Sequence, residues 1–178
     1  MRILARVAGS VLWLSSANAT AVANLRTEAA TRGCDPERLI FAKRVPSLAD
    51  HLARHRLADL FLDTLPYNAH TTATDALWAG LPVVTRIGDT FAGRSAASQL
   101  NAIGLGELVT TTAQDYEALA IALATDPSRL ALLKRKLADN RLTTPLFDTA
   151  GYTRHLETAY ATMVERSRAG LPPEHFAV

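Results

Sequence analysis

Short apolar segments alternate with longer amphipathic segments along most of this chain, and this alternation constrains the fold more than any other feature. The apolar segments have the length and the residue types of buried strands. They span residues 10–15, 38–42, 58–63, 81–87 and 107–110. The amphipathic segments carry apolar residues at helical spacing. They span residues 18–32, 47–55, 70–79, 91–103, 113–125, 126–140 and 149–168.

Strands that alternate with helices pair in parallel, and right-handed crossovers place helices on both faces of the resulting sheet. The sequence therefore predicts an α/β fold with a Rossmann-like, doubly wound parallel sheet. Ligands of such sheets bind beyond the carboxyl ends of the strands, where loops lead into helix N-termini. The turn that follows the strand at 58–63 is thus the first place to look for a site.

The length and composition of the chain indicate one globular domain. It has 178 residues, of which 48% are hydrophobic and 20% charged, enough for one hydrophobic core. We predict a lobe over residues 1–170 and a loose tail over 171–178, which contains the pair Pro172-Pro173. The net charge of +2 offers no broad basic surface for nucleic acid. No apolar run is long enough to cross a membrane.

The cysteine content and the first residues of the chain indicate the cellular compartment in which it resides. Cys34 is the single cysteine, so an intrachain disulfide is excluded and a reducing, cytoplasmic setting fits. The beginning of the chain imitates a secretory signal, because Arg2 and Arg6 precede an apolar stretch and residues 17–19 read Ala-Asn-Ala. A glycine interrupts that stretch early. We interpret its apolar core, residues 11–14, as a buried strand instead.

The most informative stretch starts at Asp63, where the third predicted strand ends, and reaches a predicted helix start at His70-Thr71-Thr72. A helix start has unpaired N–H groups and about half a positive charge, which attract phosphate. The imidazole and the two hydroxyls make these three residues a phosphate cradle. Asp75 lies one turn further on the same face, where its carboxylate can accept hydrogen bonds from a ribose. The alternative is that Thr72 and Asp75 form only a capping pair.

A longer stretch around the phosphate cradle resembles a known family. Residues 57–84 read LADLFLDTLPYNAHTTATDALWAGLPVV and resemble the signature region of the O-GlcNAc transferases, glycosyltransferase family 41. The form His-Thr-Thr-x-x-Asp is specific, whereas a helix followed by Gly-x-Pro-Val is common to many enzymes of the GT-B fold. The resemblance implies the C-terminal, nucleotide-sugar-binding lobe of a GT-B glycosyltransferase. Further similar stretches are SVLWL at 10–14, RLIFAKRVP at 38–46, FAGRSAASQL at 91–100 and LTTPLFDTAGYTRHLE at 142–157.

The resemblance also implies roles for individual residues. The phosphate cradle would hold the diphosphate of UDP-GlcNAc, Asp75 the ribose, and His51 and Arg54 the uracil and its surroundings. His51 and Arg54 are three residues apart on one helical face, and arginine can donate to a uracil carbonyl; an exposed helix face is the alternative. No cofactor or metal is implied, because His51 and His55 share a face without a third ligand. No residue of this chain is assigned a catalytic role.

Members of the family carry parts that this sequence does not contain. These are an earlier strand of the lobe, an N-terminal lobe with an acceptor-side histidine, and tetratricopeptide repeats that bind protein substrates. We therefore interpret the chain as the UDP-GlcNAc-binding part of an inverting transferase for protein Ser/Thr, without its first strand and without full activity alone. The alternatives are a non-catalytic orphan nucleotide-binding lobe, or a fragment of another GT-B glycosyltransferase with a different donor. A sheet edge left open by the missing strand predicts self-association, which light scattering would detect.

Overall fold

The computed structural model describes residues 1–15 and 18–178. Strands and helices alternate along the chain, as the sequence predicts. The strands are β1 (Leu12–Ser15), β2 (Leu39–Ala42), β3 (Phe61–Leu62), β4 (Val83–Arg86) and β5 (Val109–Thr110). The α-helices are α1 (Arg2–Arg6), α2 (Ala19–Thr31), α3 (Leu48–Arg54), α4 (Thr71–Trp78), α5 (Ser95–Ala102), α6 (Ala113–Thr125), α7 (Pro127–Asn140) and α8 (Thr149–Arg168).

The larger sheet is built around β4. This strand pairs in parallel with β3 on one edge and with β5 on the other. Val83, Val84 and Thr85 of β4 are completely buried. Because neighbouring residues of a strand point to opposite faces, their burial means that both faces of β4 are covered. The helices α4, α5 and α6 all pack against it.

The main hydrophobic core lies between this sheet and the helices around it. Each of four helices contributes a leucine with no exposed surface, and burying such a side chain stabilises the fold by about 1.5–3 kcal/mol. These leucines are Leu77 of α4, Leu100 of α5, Leu123 of α6 and Leu137 of α7. Because Leu77 lies near the end of α4, the core holds this helix in place and thereby also positions its start.

A second, smaller sheet consists of β1 and β2, which pair in parallel with Leu12 opposite Leu39. It has a small core of its own, in which Leu4 of α1, Ala29 of α2 and Cys34 surround Leu39. The strand predicted at 10–15 is therefore confirmed as β1. The secretory-signal interpretation placed a cleavage site at residues 17–19, and residue 17 lies outside the described residues.

Most helix boundaries follow capping signals in the sequence. A side-chain oxygen just before the helix accepts a hydrogen bond from a first-turn N–H that has no partner inside the helix. The predicted helices at 113–125, 126–140 and 149–168 are accordingly confirmed to within about one residue. The residues that cap in this way are Asn18, Ser47, Thr112, Asp126 and Asp148.

Some predicted boundaries are wrong. The strand predicted at 58–63 is reduced to Phe61–Leu62. The helix predicted at 91–103 begins only at Ser95, because the Gly93 N–H donates to the Thr90 carbonyl at 3.1 Å and closes a turn there. The helix α1 has no counterpart among the predicted segments, since its five residues are too few to show helical spacing.

The α/β class and the parallel pairing are confirmed, but the strands do not form a single hydrogen-bonded sheet. Within residues 1–15 and 18–178, β1 and β2 form one sheet, and β3, β4 and β5 form another. After α8, the segment 171–178 has no helix or strand, although Arg166 donates to the Pro172 carbonyl at 2.9 Å. None of the helices in the described ranges has the length and hydropathy that crossing a bilayer requires.

Candidate nucleotide-binding site

The loop between β3 and α4 is anchored at its start by the buried carboxylate of Asp63. One oxygen of this carboxylate accepts a hydrogen bond from the Ala69 N–H at 2.7 Å. The other accepts one from the hydroxyl of Thr85 on β4 at 2.6 Å. Because a buried carboxylate must keep its hydrogen bonds, these two contacts fix the path of the loop towards His70.

Asn68 anchors the second half of the same loop and is almost completely buried. Its side-chain amide donates to the Thr64 carbonyl at 2.9 Å. Its backbone N–H donates to the Ala92 carbonyl, in the turn before α5, at 3.0 Å. The loop is thus hydrogen-bonded both within itself and to the turn before α5. These bonds fix the backbone two residues before His70.

Tyr116 of α6 supports the end of β3. Its hydroxyl donates to the backbone carbonyl of Asp63 at 2.7 Å. Burial first, and the nearby Asp63 carboxylate second, raise the pKa of Tyr116 well above its ordinary value. The phenol therefore keeps its proton, and this hydrogen bond, at alkaline pH values at which an exposed tyrosine ionises.

We expect Tyr116→Phe to lower the free energy of unfolding by about 1 kcal/mol at neutral pH, because one net hydrogen bond is lost. The pKa is raised in the folded state, so the unfolded chain releases the phenol proton first. Wild-type stability should therefore fall as pH rises above about 10. The variant has no phenol to ionise and should lose less. Urea unfolding at a series of pH values tests this, and a stability difference that widens above that pH would contradict it.

The start of α4 differs from the capped helix starts, because its N-cap residue His70 makes no side-chain cap hydrogen bond. Thr71 and Thr72 form the exposed first turn. The N–H groups of a first turn have no partner within the helix and carry partial positive charge. This helix start is therefore not capped by a side chain, and its first-turn N–H groups can donate to an anion.

Gln99 of α5 holds the backbone at this helix start. Its side-chain N–H donates to the His70 carbonyl at 3.1 Å, and its side-chain oxygen accepts from the Thr74 hydroxyl at 3.0 Å. The His70 carbonyl also accepts the N–H groups of Ala73 and Thr74, both at 3.1 Å. The backbone of this first turn is therefore fixed by contacts within the protein.

The ring of His70 lies between two aromatic side chains. It stacks on Tyr67 with 4.9 Å between ring centroids and meets the edge of Phe91 at 5.9 Å. Its Nε2 atom is buried and has no hydrogen-bond partner in the part of the chain that the structure describes. Buried polar atoms without a partner are uncommon, so this nitrogen is available to a ligand at the helix start.

Asp75 does not cap α4. Its carboxylate lies 3.2 Å from Nε2 of His51 on α3, and the guanidinium of Arg54 lies 3.0 Å from Nδ1 of the same ring. Since a guanidinium can only donate, Nδ1 accepts, and Nε2 carries the proton that is donated to Asp75. The structure thus brings together the residues predicted for the ribose and the uracil. The capping-pair interpretation of Thr72 and Asp75 is wrong.

The predicted residues lie on an open surface formed by α3 and the start of α4. A cleft of about 520 Å³ opens nearby, beside Asp63, Thr64 and Leu65, but the phosphate cradle does not line it. Residues 1–15 and 18–178 contain no group of three or more His, Cys, Asp or Glu that could hold a metal ion.

Sequence reasoning missed three residues at the helix start, namely Gln99, Tyr67 and Phe91. Gln99 acts through backbone contacts across a tertiary interface, which no local pattern reveals. Phe91 and Gln99 both lie in the stretch 91–100, whose resemblance to the family was the one available signal. Tyr67 lies in the stretch 57–84, whose resemblance to the family was likewise its only signal.

Comparison with known proteins decides the family. The sequence profile described as Glycosyl transferase family 41 matches residues 1–156. The chain belongs to glycosyltransferase family 41. It is 40% identical over 177 residues to the probable UDP-N-acetylglucosamine–peptide N-acetylglucosaminyltransferase SEC of Arabidopsis thaliana, a match that covers 99% of this chain and 18% of that protein. It is 38% identical over 175 residues to the UDP-N-acetylglucosamine–peptide N-acetylglucosaminyltransferase of Caenorhabditis elegans, covering 98% of this chain and 15% of that protein.

The fold of this family 41 chain is also that of a solved structure. A mutant of the Thermobaculum terrenum O-GlcNAc transferase matches it with a TM-score of 0.85 at 35% identity, over 91% of this chain and 32% of that chain. The predicted α/β lobe of a GT-B glycosyltransferase is thereby confirmed. The chain spans less than a fifth of the two curated relatives and about a third of the solved one.

Proposed function

We propose that this family 41 chain is the UDP-GlcNAc-binding part of an inverting N-acetylglucosaminyltransferase that acts on serine and threonine residues of proteins. The observation that carries the proposal is the uncapped start of α4, where the buried Nε2 of His70 has no partner in the described ranges. The names of the Arabidopsis and Caenorhabditis relatives support both the donor and the acceptor class. In this proposal the binding unit is residues 1–170, with 171–178 as a tail.

The phosphate cradle binds the diphosphate of the donor. The hydroxyls of Thr71 and Thr72 and the first-turn N–H groups donate to phosphate oxygens, as at other helix N-termini that bind anions. His70 adds a donor from Nε2, whose orientation is maintained by the aromatic rings on either side. Because Gln99 already fixes the backbone of this turn, binding costs little ordering of the site.

The nucleoside end of the donor extends from the cradle towards α3. Asp75 accepts hydrogen bonds from the ribose hydroxyls, while His51 and Arg54 contact the uracil and its surroundings. A carboxylate has four lone-pair positions, so Asp75 can keep its bond to His51 while it accepts from the ribose. The contact between His51 and Asp75 therefore links the base end of the site to its sugar end.

The same donors serve the chemical step. When an acceptor hydroxyl attacks the anomeric carbon of the donor, the bond to the diphosphate breaks and negative charge grows on the leaving UDP. Donors that are already fixed at that oxygen stabilise the transition state more than the ground state. Loss of one such donor typically lowers kcat by about 10²–10³-fold. The chain contributes this stabilisation and the positioning of the donor.

Two alternatives predict different behaviour. A fragment of another GT-B glycosyltransferase would prefer a different nucleotide, and the names of the relatives favour UDP over that possibility. A non-catalytic orphan nucleotide-binding lobe would hold UDP weakly or merely fold, without any transfer of GlcNAc. Nucleotide selectivity of the isolated chain therefore separates the proposal from the first alternative, and transfer of GlcNAc by the complete polypeptide separates it from the second.

We expect the 178-residue chain to bind UDP with a Kd of about 1 mM or below, which corresponds to roughly 4 kcal/mol. ADP and GDP should bind at least about tenfold more weakly, because His51 and Arg54 contact the base. Two-dimensional amide NMR during titration gives the affinities and confirms that the sample is folded. A folded sample without saturable UDP binding contradicts the proposal, and so does equal affinity for inorganic pyrophosphate and UDP.

A further inference from the structure

The backbone at the start of α4 differs from that of an ordinary helix start. N-cap residues are usually extended, as Asn18 and Thr112 are here, and their side chains accept a first-turn N–H. His70 instead has φ −104° and ψ −97° and makes no side-chain cap hydrogen bond. Because the contact that usually fixes a helix start is absent, contacts from side chains further away have to fix this backbone.

The first of these contacts comes from Gln99 of α5. Its side-chain N–H group donates to the His70 carbonyl at 3.1 Å and to the Ser95 hydroxyl at 3.4 Å. A carbonyl can only accept, so the amino end of the Gln99 side chain must face His70. Gln99 is partly buried and precedes Leu100, which has no exposed surface. The amide is therefore held on a helix that the core fixes in place.

Thr74 of α4 holds the other end of the same amide. Its hydroxyl lies 3.0 Å from the side-chain oxygen of Gln99 and 3.3 Å from the His70 carbonyl. A hydroxyl has one hydrogen to donate, and the His70 carbonyl already accepts from two backbone N–H groups and from the Gln99 amide. The shorter contact, to Gln99, is therefore the one that takes the Thr74 proton. With both ends bonded, the Gln99 side chain is held in one orientation.

The His70 carbonyl determines the direction of a donor that a ligand can use. The N–H groups of Ala73 and Thr74 donate to this carbonyl at 3.1 Å, whereas a helix provides no partner for the N–H groups of its first two residues, Thr71 and Thr72. The carbonyl of His70 and the N–H of Thr71 belong to one peptide unit, which is planar and trans, so the two groups point in opposite directions. Whatever fixes the carbonyl therefore also aims the N–H.

We propose that Gln99 and Thr74 together position the anion donors of the phosphate cradle. Gln99 holds the peptide unit between His70 and Thr71, and Thr74 holds Gln99. A hydrogen bond weakens steeply as its angle departs from linear, so a first-turn N–H that is turned aside contributes little to the binding of a diphosphate. Both side chains are positioning residues, because they act through the backbone and not on the ligand. This inference rests on the proposed function, since it names the residues that prepare that site for the diphosphate.

Two variants remove the polar groups and keep the size of the side chains. We expect Gln99→Met to weaken the binding of UDP and of inorganic pyrophosphate about tenfold, and Thr74→Val about threefold, because a directed hydrogen bond is lost in each. Uridine has no phosphate and should bind equally to the wild type and to both variants. Gln114→Met on the exposed surface of α6 is the matched control and should leave all these affinities unchanged. An equal loss for uridine and UDP would overturn the proposal, because the pair would then only support the fold.

The double variant decides whether Thr74 acts through Gln99. When Gln99 is already methionine, Thr74→Val should cause no further loss of UDP affinity, because the amide that the hydroxyl orients is absent. Residues that act independently would instead show additive losses. Additive losses of affinity would therefore overturn the assignment of Thr74 to this pair.

A measurement without ligand separates this inference from the proposed function. Nitrogen-15 relaxation gives the order parameter of each backbone N–H, which is about 0.85 for a rigid backbone and below about 0.6 for a flexible one. We expect the rigid value at Thr71 and Thr72 in the wild type and a clear fall at both in Gln99→Met, with no change in Gln114→Met. If the wild type failed to bind UDP while these order parameters behaved as expected, the proposed function would fail and the positioning would stand. Unchanged order parameters in Gln99→Met would overturn the positioning, whatever the UDP affinity.

Discussion

Replacement of His70 by alanine is expected to weaken UDP binding roughly ten- to a hundredfold. A hydrogen bond to a charged group contributes about 1.5–3 kcal/mol, and each 1.4 kcal/mol is a factor of about ten in Kd. The variant should lose affinity for UDP but should remain folded. The ring packs on Tyr67 and Phe91, whose side chains are 66% and 85% exposed, and not on the main core. Amide NMR titration measures the affinity and the integrity of the fold together.

The choice of ligand shows whether His70 acts on the diphosphate. Uridine lacks phosphate, so the variant and the wild type should bind it with equal affinity. His155→Ala on α8 is the matched control, because it removes a histidine far along the chain from the phosphate cradle and should leave UDP binding unchanged. An equal loss for uridine and UDP would show that His70 supports the fold of the site and does not contact phosphate.

The parts of the fold that follow from local chemistry could be predicted from the sequence. The helix α6 begins after Thr112, whose hydroxyl oxygen accepts the Asp115 N–H at 3.0 Å. The helix α7 begins after Asp126 in the same way, with a proline at its first position. In both cases the signal and the structure that it specifies lie within one helical turn. The start of α4 has no side-chain cap and could be placed only from the loop residues that precede it.

Features that depend on packing could not be predicted. The contact between His51 and Asp75 joins residues 24 positions apart, and it arises only because α3 packs on α4. The division into two sheets is also invisible in the sequence, since the residues of β1 and β3 have the apolar character of paired strands. An apolar segment shows that a strand can be buried. It does not show which neighbour is present at each edge.

Replacement of Asp75 by alanine is the second change for which we expect a large effect, a loss of UDP affinity of roughly ten- to a hundredfold. The variant would lack a charge-assisted hydrogen bond to the ribose, which is worth about 1.5–3 kcal/mol. It would also release His51, whose Nε2 proton then has no acceptor, so contacts to the base should weaken too. Asp139→Ala on the exposed surface of α7 is the matched control, because it removes one negative charge elsewhere and should leave the affinity unchanged.

A modified ligand separates the ribose contact from the effect on His51. UDP without its two ribose hydroxyls, 2′,3′-dideoxy-UDP, should bind wild-type protein about as weakly as Asp75→Ala binds UDP. The variant should bind UDP and the dideoxy ligand equally, because the contact between Asp75 and the ribose is already absent from it. Weaker binding of the dideoxy ligand by the variant than by the wild type would measure the part that passes through His51, since neither complex then has the ribose contact. If the wild type bound both ligands equally, Asp75 would have no contact with the ribose, and its effect on UDP would arise from holding His51 in place.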